Sequence, residues 1–341
     1  MKTLYKTILL IIFTLVSAGL AVAQAGGGDR EKGVALYNQG DYENAVKTLK
    51  NATKTSAADV QAWYYLGLAY LKKDKPKEAE KALAKAVELD NKNAAVHTSL
   101  GYVYLLRNNS NGAQTEAKTA LALNPNIPDA HYIMGFVSAQ NGSYVAAYER
   151  ARRVIELAPD FALAYRLKSQ MLVGSFAAQT GTVTKPKSAR SDLLKEAVTD
   201  LEKYLSLSPT GTDAQFQRQY LESLKFFAEY YSRPENQAPN FGTTAQEEEE
   251  SAGKTPLKIL YKQRAGYSGA AREAGVAGKI RVLVGFGANG RIEHILVIKP
   301  LGYGLDEEAV KAARAIRFEP ATQDGKPVAV VKVVEYTFSI Y

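Results

Sequence analysis

The stretch AWYYLGLAYLKKDKPKEAEKALAKAVELD, residues 62–90, decides how the first two thirds of the chain is read. Trp63, Leu66, Tyr70, Leu83 and Ala86 recur in it at helical spacing, so each helix would bury one face. The stretch is one copy of a longer pattern. Gly33, Gly67, Gly101 and Gly135 follow one another at intervals of 34 residues. Leu66, Leu100 and Met134 each precede a glycine by one position. Ala45, Ala79, Ala113 and Ala147 each follow one by twelve. Asn91, Pro125 and Pro159 fall at the junction between copies, where a helix must stop. A fixed period of this length points to a stack of repeated units.

These residues resemble the tetratricopeptide repeat, a pair of antiparallel helices per unit. The glycine and alanine are small where the two helices of a unit cross. A fifth, split copy follows. ALAYRLKSQMLVGS reads as its first helix and LLKEAVTDLEKYLSLSP as its second, with Ala197, Leu201, Tyr204 and Pro209 in the expected relation. Strict register would put the alanine at 181, so 16 residues are inserted, and an exposed polar loop is expected near 175–190. An amphipathic segment, about 212–232, ends in LKFFAEYY and reads as the cap of the open end. The repeat array is therefore placed at 26–232.

Projecting the repeat onto each copy puts Tyr64, Lys72, Tyr102, Tyr132, Phe136, Gln140 and Arg166 on the concave face. Aromatic rings beside polar groups suit a peptide groove. The same rings could equally serve to pack repeat on repeat. The Lys/Asn set with which some relatives clamp a C-terminal carboxylate is absent, with Leu68 and Tyr102 where asparagine would sit. His97 and His131 stand at equivalent positions, but Trp63 and Tyr165 occupy the same position in neighbouring copies. That position calls for a ring in packing rather than a metal ligand.

Residues 233–255 are polar and aperiodic, carry four consecutive Glu, and read as a solvated linker. Beyond Pro256 the period changes to two. KIRVLVGF and RIEHILVI read as strands, and VAVVKVVEYTFSIY as a long third one. LDEEAVKAARAIRF between the last two reads as a helix burying Leu305, Ala309, Ala312 and Ile316. Gly285, Gly287 and Gly290 have the spacing of a dinucleotide loop. Such a loop must open a helix, and here a strand follows, so Asn289-Gly290 is expected to form a type I′ hairpin turn.

The segment from Tyr267 to Phe338 resembles the C-terminal domain of TonB. The carrying features are Gly275, Gly278 and the first strand, the Asn289-Gly290 turn, Leu305-Asp306, Ala309, Phe318, Pro320 and Gly325-Lys326-Pro327. Ser268 departs from the family, which has proline after the tyrosine. The expected fold class is thus all-α superhelical helix-pair repeats followed by a small α+β domain, an antiparallel three-stranded sheet with a helix, at 256–341. The resemblance implies a periplasmic location and a domain that adds a strand from an outer-membrane receptor to its sheet edge. The edge expected to do so carries Val330, Lys332, Val334, Tyr336 and Phe338.

The N-terminus has Lys2 and Lys6, an apolar core from Ile8 to Val16, and Ala21-Val22-Ala23 before Gln24. That is the pattern of a cleaved signal peptide over 1–23, with an uncleaved inner-membrane anchor as the alternative. The formal charge of +8 is not gathered into one basic block, so nucleic acid is not indicated as a partner. With no Cys and three His, thiol and Cys-metal chemistry are excluded, and histidine chemistry is limited. No nucleophile, base and acid form a set, and His294 lies alone in an apolar strand. The expected function is a non-catalytic periplasmic adaptor without cofactor or metal, binding proteins or peptides in connection with outer-membrane transport. The alternative is an energy transducer held in the inner membrane by its N-terminal segment, coupled to a motor complex there and driving transport through outer-membrane receptors.

Overall fold

In a computed structural model the structure describes residues 28–179, 188–211, 213–233 and 254–340. The expected signal peptide, most of the linker and the centre of the insertion lie outside these residues. The chain falls into two compact units that part between Ala164 and Tyr165.

The first unit is built from antiparallel helix pairs. These are α1 (Asp29–Asn38) with α2 (Tyr42–Thr55), α3 (Val60–Lys72) with α4 (Pro76–Leu89), α5 (Ala94–Leu106) with α6 (Ser110–Leu123), and α7 (Pro128–Gln140) with α8 (Tyr144–Leu157). Local chemistry starts them. Asp41, Asp59, Asn93 and Asn109 accept from first-turn backbone N–H groups, and Pro76 and Pro128 open α4 and α7. The turn inside each pair needs a left-handed residue, supplied by Gly40, Asp74, Asn108 and Gly142 at the repeat spacing. The paired helices approach closely. A Cβ at Gly33 or Gly67 would sit 2.5 Å from the side chain of Leu49 or Leu83. Ala45, Ala79, Ala113 and Ala147 are fully buried.

The ring position behaves alike in three copies. Trp63 Nε1 donates to the Ala57 carbonyl at 2.9 Å, and His97 Nε2 and His131 Nε2 lie 3.0 and 2.9 Å from the carbonyls of Asn91 and Pro125. Each ring thereby holds the junction six residues upstream. The second nitrogen of His97 pairs with Glu116, and that of His131 meets Arg150.

The second unit begins in α9 (Ala162–Gln179) and continues through α10 (Ser188–Leu207) and α11 (Ala214–Tyr230). Both ends of the expected insertion loop are helical, since α9 runs through Ala177 to Gln179 and α10 starts at Ser188. Ser169 Oγ donates to the Ala197 carbonyl at 2.8 Å and holds α9 against α10.

The C-terminal part adds β1 (Lys254–Thr255), β2 (Lys258–Tyr261), α12 (Gly269–Glu273), β3 (Gly278–Phe286), β4 (Ile292–Lys299), α13 (Leu305–Arg314), β5 (Arg317–Glu319), β6 (Ala321–Gln323), β7 (Lys326–Val328) and β8 (Val330–Phe338). The main sheet is antiparallel with order β4-β3-β8. One face presents Ile280, Val282, Val284, Phe286, Ile295, Val297, Val334, Tyr336 and Phe338 to Leu305, Ala309, Ala312 and Ala313 of α13. Acids in the first turn and Lys311 and Arg314 in the last suit the dipole of α13. Short strands absent from the sequence reading form two further small sheets, β1-β6-β7 and β2-β5.

Two turns differ from expectation. Between β3 and β4 only Gly290 has positive φ, at 74°, so the connection is a longer loop with glycine at its left-handed position and not a type I′ turn. Asn289 serves through its side chain, whose Oδ1 accepts from Arg291 N. The two-residue geometry appears instead at Asp324 and Gly325, with φ of 52° and 75°, joining β6 to β7. Ser268, in place of the family's proline, caps α12 by accepting from Ala271 N at 3.0 Å.

Asp306 anchors the loop before α13. Its carboxylate accepts from Leu301 N at 2.9 Å and Gly302 N at 3.1 Å. Burial nevertheless pushes its pKa up from the ordinary 3.8 to about 7. The folded form therefore holds the proton more tightly than the unfolded form. Stability from this group is fully present below about pH 4 and is lost as pH rises toward about 7. Asp306→Asn should flatten that part of the profile, worth up to about 4 kcal/mol, in urea unfolding measured across the window. An unchanged slope in the variant would refute the assignment.

Candidate functional site

Two surfaces can meet a partner, and each lies within one unit. In the first unit the inner helices α3, α5 and α7 carry most of the expected groove residues. Tyr102 and Tyr132 are 6% and 4% exposed. Tyr132 packs on Phe161 with centroids 5.3 Å apart and on Phe136 at 6.2 Å. Their rings thus belong to the packing of helix on helix. Tyr64, Lys72 and Phe136 are half-buried, and Gln140 is exposed with its Oε1 accepting from Ser110 Oγ at 2.8 Å. Burial pushes Lys72 below the ordinary lysine range.

Arg166 lies in the second unit and is buried there. Its Nη1 donates to Asp213 Oδ2 at 2.5 Å, its guanidinium lies 5.4 Å from the centroid of the Tyr204 ring, and Tyr204 OH donates to Asp213 Oδ1 at 2.7 Å. This group ties α9 and α10 to the start of α11, so the charge of Arg166 is spent inside the fold.

The second surface is the margin of the main sheet. An antiparallel edge strand turns the N–H and C=O of alternate residues outward. On β4 these groups are met by α11. Tyr220 OH donates to the Val297 carbonyl at 3.0 Å, and Ile295 N approaches Ser223 Oγ at 3.4 Å. Ser223 is buried, and burial pushes the Tyr220 phenol up. Just beyond, Phe226 stacks on His294 with centroids 4.0 Å apart and planes 13° from parallel. Burial lowers the His294 pKa. Gly285 lies opposite, where a Cβ would come within 3.8 Å of Phe226. Leu283, Leu296, Ile298 and Val333, alternate to the α13-facing residues, are buried on the other face of the sheet. The segment expected to cap the repeats thus closes one edge of the sheet.

With residues 295 and 297 facing outward on β4, the alternation runs through the paired strands. It turns the backbone groups of Val331, Val333, Glu335 and Thr337 outward on β8. No strand pairs with that margin among the described residues. Lys262 Nζ reaches it, donating to the Glu335 carbonyl at 2.8 Å and lying 5.0 Å from the centroid of the Tyr336 ring. Burial lowers the Lys262 pKa. Of the expected edge residues, Val334, Tyr336 and Phe338 direct their side chains into the core, Val330 packs against it, and Lys332 is half-buried. What β8 offers outward is backbone, flanked by Glu335 and the exposed Thr337.

Among the described residues no His, Cys, Asp and Glu cluster could hold a metal ion, and no helix is long and apolar enough to cross a membrane.

The architecture is a helix-pair repeat scaffold joined to a small strand-presenting domain. Residues 30–94 match the model of the tetratricopeptide repeat, and residues 263–340 match that of the Gram-negative bacterial TonB protein C-terminal. The chain thus carries a tetratricopeptide repeat segment and a TonB C-terminal domain. Among curated proteins it is 30% identical over 60 residues to the peroxisomal targeting signal 1 receptor of Dictyostelium discoideum, a match covering 18% of this chain and 9% of that protein. The solved structure of MamA is 25% identical and covers 52% of this chain and 94% of its own, with a TM-score of 0.42. A thermophilic TPR protein of Thermus thermophilus, TTC0263, is 19% identical and covers 58% and 97%, with a TM-score of 0.43.

Two sets of variants test the two internal assignments by urea unfolding. Tyr220→Phe and Ser223→Ala each strand a backbone group of β4 and should cost about 1–2 kcal/mol. Wild-type stability in both would mean that water or another group serves that edge equally well. Asp213→Ala leaves the buried Arg166 uncompensated and should cost about 3–5 kcal/mol, with part of the loss recovered when Arg166→Met is added. No recovery in the double variant would refute the pairing.

Proposed function

We propose that this chain is a non-catalytic adaptor of the periplasm of a double-membraned bacterium. The repeats hold a protein or peptide partner, and the TonB C-terminal domain takes a strand from a second protein at the outer margin of β8, in connection with outer-membrane transport. The observation that carries this reading is the asymmetry of the sheet. Tyr220 and Ser223 occupy the β4 margin, while β8 keeps a row of outward backbone groups without a paired strand among the described residues. Strand addition draws affinity from such groups and specificity from alternate side chains. The leader-like residues 1–23 support export.

The test uses the full chain expressed in a double-membraned bacterium. Thr337→Pro removes an outward N–H and leaves the inward ladder to β3 intact, so the domain should fold with an unchanged circular dichroism spectrum. Capture of outer-membrane receptors should fall at least tenfold. Sequencing of the purified chain should give a first residue at Gln24. Equal capture by wild type and variant would overturn strand addition at β8, and an N-terminus at Met1 would move the reading to a membrane-held transducer.

A further inference from the structure

Asp129 stands at the second position of α7, just after Pro128. Its Oδ1 is shielded from solvent and has no hydrogen-bond partner among the described residues. By its spacing of three and seven residues from Tyr132 and Phe136, Asp129 lies on the face of α7 expected to line the groove. Tyr64 belongs to α3, and α5 lies between α3 and α7, yet the Asp129 charge reaches the Tyr64 phenol. Burial raises the Tyr64 pKa most, a hydrogen bond with Ser99 of α5 opposes that, and the neighbouring charges of Tyr65 and Asp129 raise it further. Burial also lifts Asp129 to about 6, against the smaller effect of its own backbone N–H.

The repeat architecture does not require this acid. The equivalent positions of neighbouring copies hold Gln61, Ala95 and Leu163. A shielded carboxylate without a partner is costly, and what relieves the cost is a cation bearing N–H donors. Asp129, Tyr132 and Phe136 are spaced at i, i+3 and i+7 on α7, so the acid sits at one end of an aromatic row. Aromatic faces beside a carboxylate favour a basic side chain over a neutral one.

We propose that Asp129 is the anchoring subsite of the concave groove and takes a Lys or Arg side chain of an extended partner peptide, with Phe136 beside it on the same face of α7. This rests on the reading that the repeats bind a peptide.

The experiment selects a phage-displayed random dodecapeptide library on the full chain and on Asp129→Asn. Wild type should enrich peptides with Lys or Arg at one fixed position. The synthetic consensus peptide, acetylated and amidated, should bind Asp129→Asn at least tenfold more weakly. Its version with norleucine at the basic position should bind both proteins alike. The unliganded variant should melt no lower than wild type, because it loses an uncompensated charge. A melting point several degrees lower would make the acid structural and overturn the proposal. So would enriched peptides without a basic position, equal binding of the consensus by both proteins, or binding lost on acetylation, which would assign the site to a terminal amine. In those cases peptide binding by the repeats would stand. No enrichment on either protein would overturn the peptide-groove reading together with the subsite.

Discussion

Helix Ala214–Tyr230 carries more apolar surface than one neighbour can cover. Leu221, Leu224, Phe227 and Ala228 are buried along it, and Phe176 of α9 meets Tyr231 at its end with centroids 5.2 Å apart. A quarter turn round, Tyr220, Ser223 and Phe226 face the sheet. A helix with two such faces is unstable if either meets water, so it holds the last helix pair and the C-terminal sheet in one compact unit. The polar atoms in the second face decide how it sits. Apolar residues alone could slide along the sheet, but a phenol and a hydroxyl matched to one outward C=O and one outward N–H fix a single register.

That choice of contacts sets what the sheet has left to offer. A three-stranded sheet has two margins, and an unpaired margin invites other strands. Using one margin internally removes it from competition and leaves β8. There Lys262 covers a carbonyl with an exposed amine, a contact that an incoming strand can displace at smaller cost than a buried one. The hydrogen bonds of Tyr220 and Ser223, set in a buried face, are far costlier to displace. In the proposed strand addition, selectivity between the margins would arise from how deeply the covering groups are buried.

The parts of this fold legible in the sequence are those that recur. Gly33, Gly67 and the alanines twelve residues beyond recur because two helices must cross at van der Waals distance, and a steric demand repeated in every copy leaves a period. The left-handed positions 40, 74, 108 and 142 follow the same period, but three residue types fill them and the regularity is easily missed. Contacts made once leave no such trace. Nothing in QFQRQYLESLKFFAEYY separates a helix that caps a stack from one that also caps a strand, because Tyr220 and Ser223 are ordinary residues until β4 is placed beside them. Arg166 read as a groove residue because its register is correct. Its partner Asp213 is 47 residues away, across the insertion. At the β3–β4 connection Asn289-Gly290 carried the expected residue types, yet the loop is longer than two residues, and the chain used Asp324-Gly325 for the tight turn.

Three buried acids show how partners separate structure from recognition. Asp306, Asp200 and Asp129 are all pushed up by burial, to about 7, 6 and 6. Asp306 accepts two backbone N–H groups, and Asp200 accepts from Lys168 at 3.2 Å, so each returns part of its desolvation cost as local order. Asp129 has its own N–H and its place in the first turn of α7, burial outweighs both, and its Oδ1 has no hydrogen bond among the described residues. Replacing Asp306 or Asp200 by a neutral residue therefore removes a contact, whereas replacing Asp129 removes an electrostatic cost. A residue whose loss relieves the folded protein is explained by something the folded protein does, and Asp129 shares its face of α7 with Tyr132 and Phe136, the face the repeat register assigns to the groove.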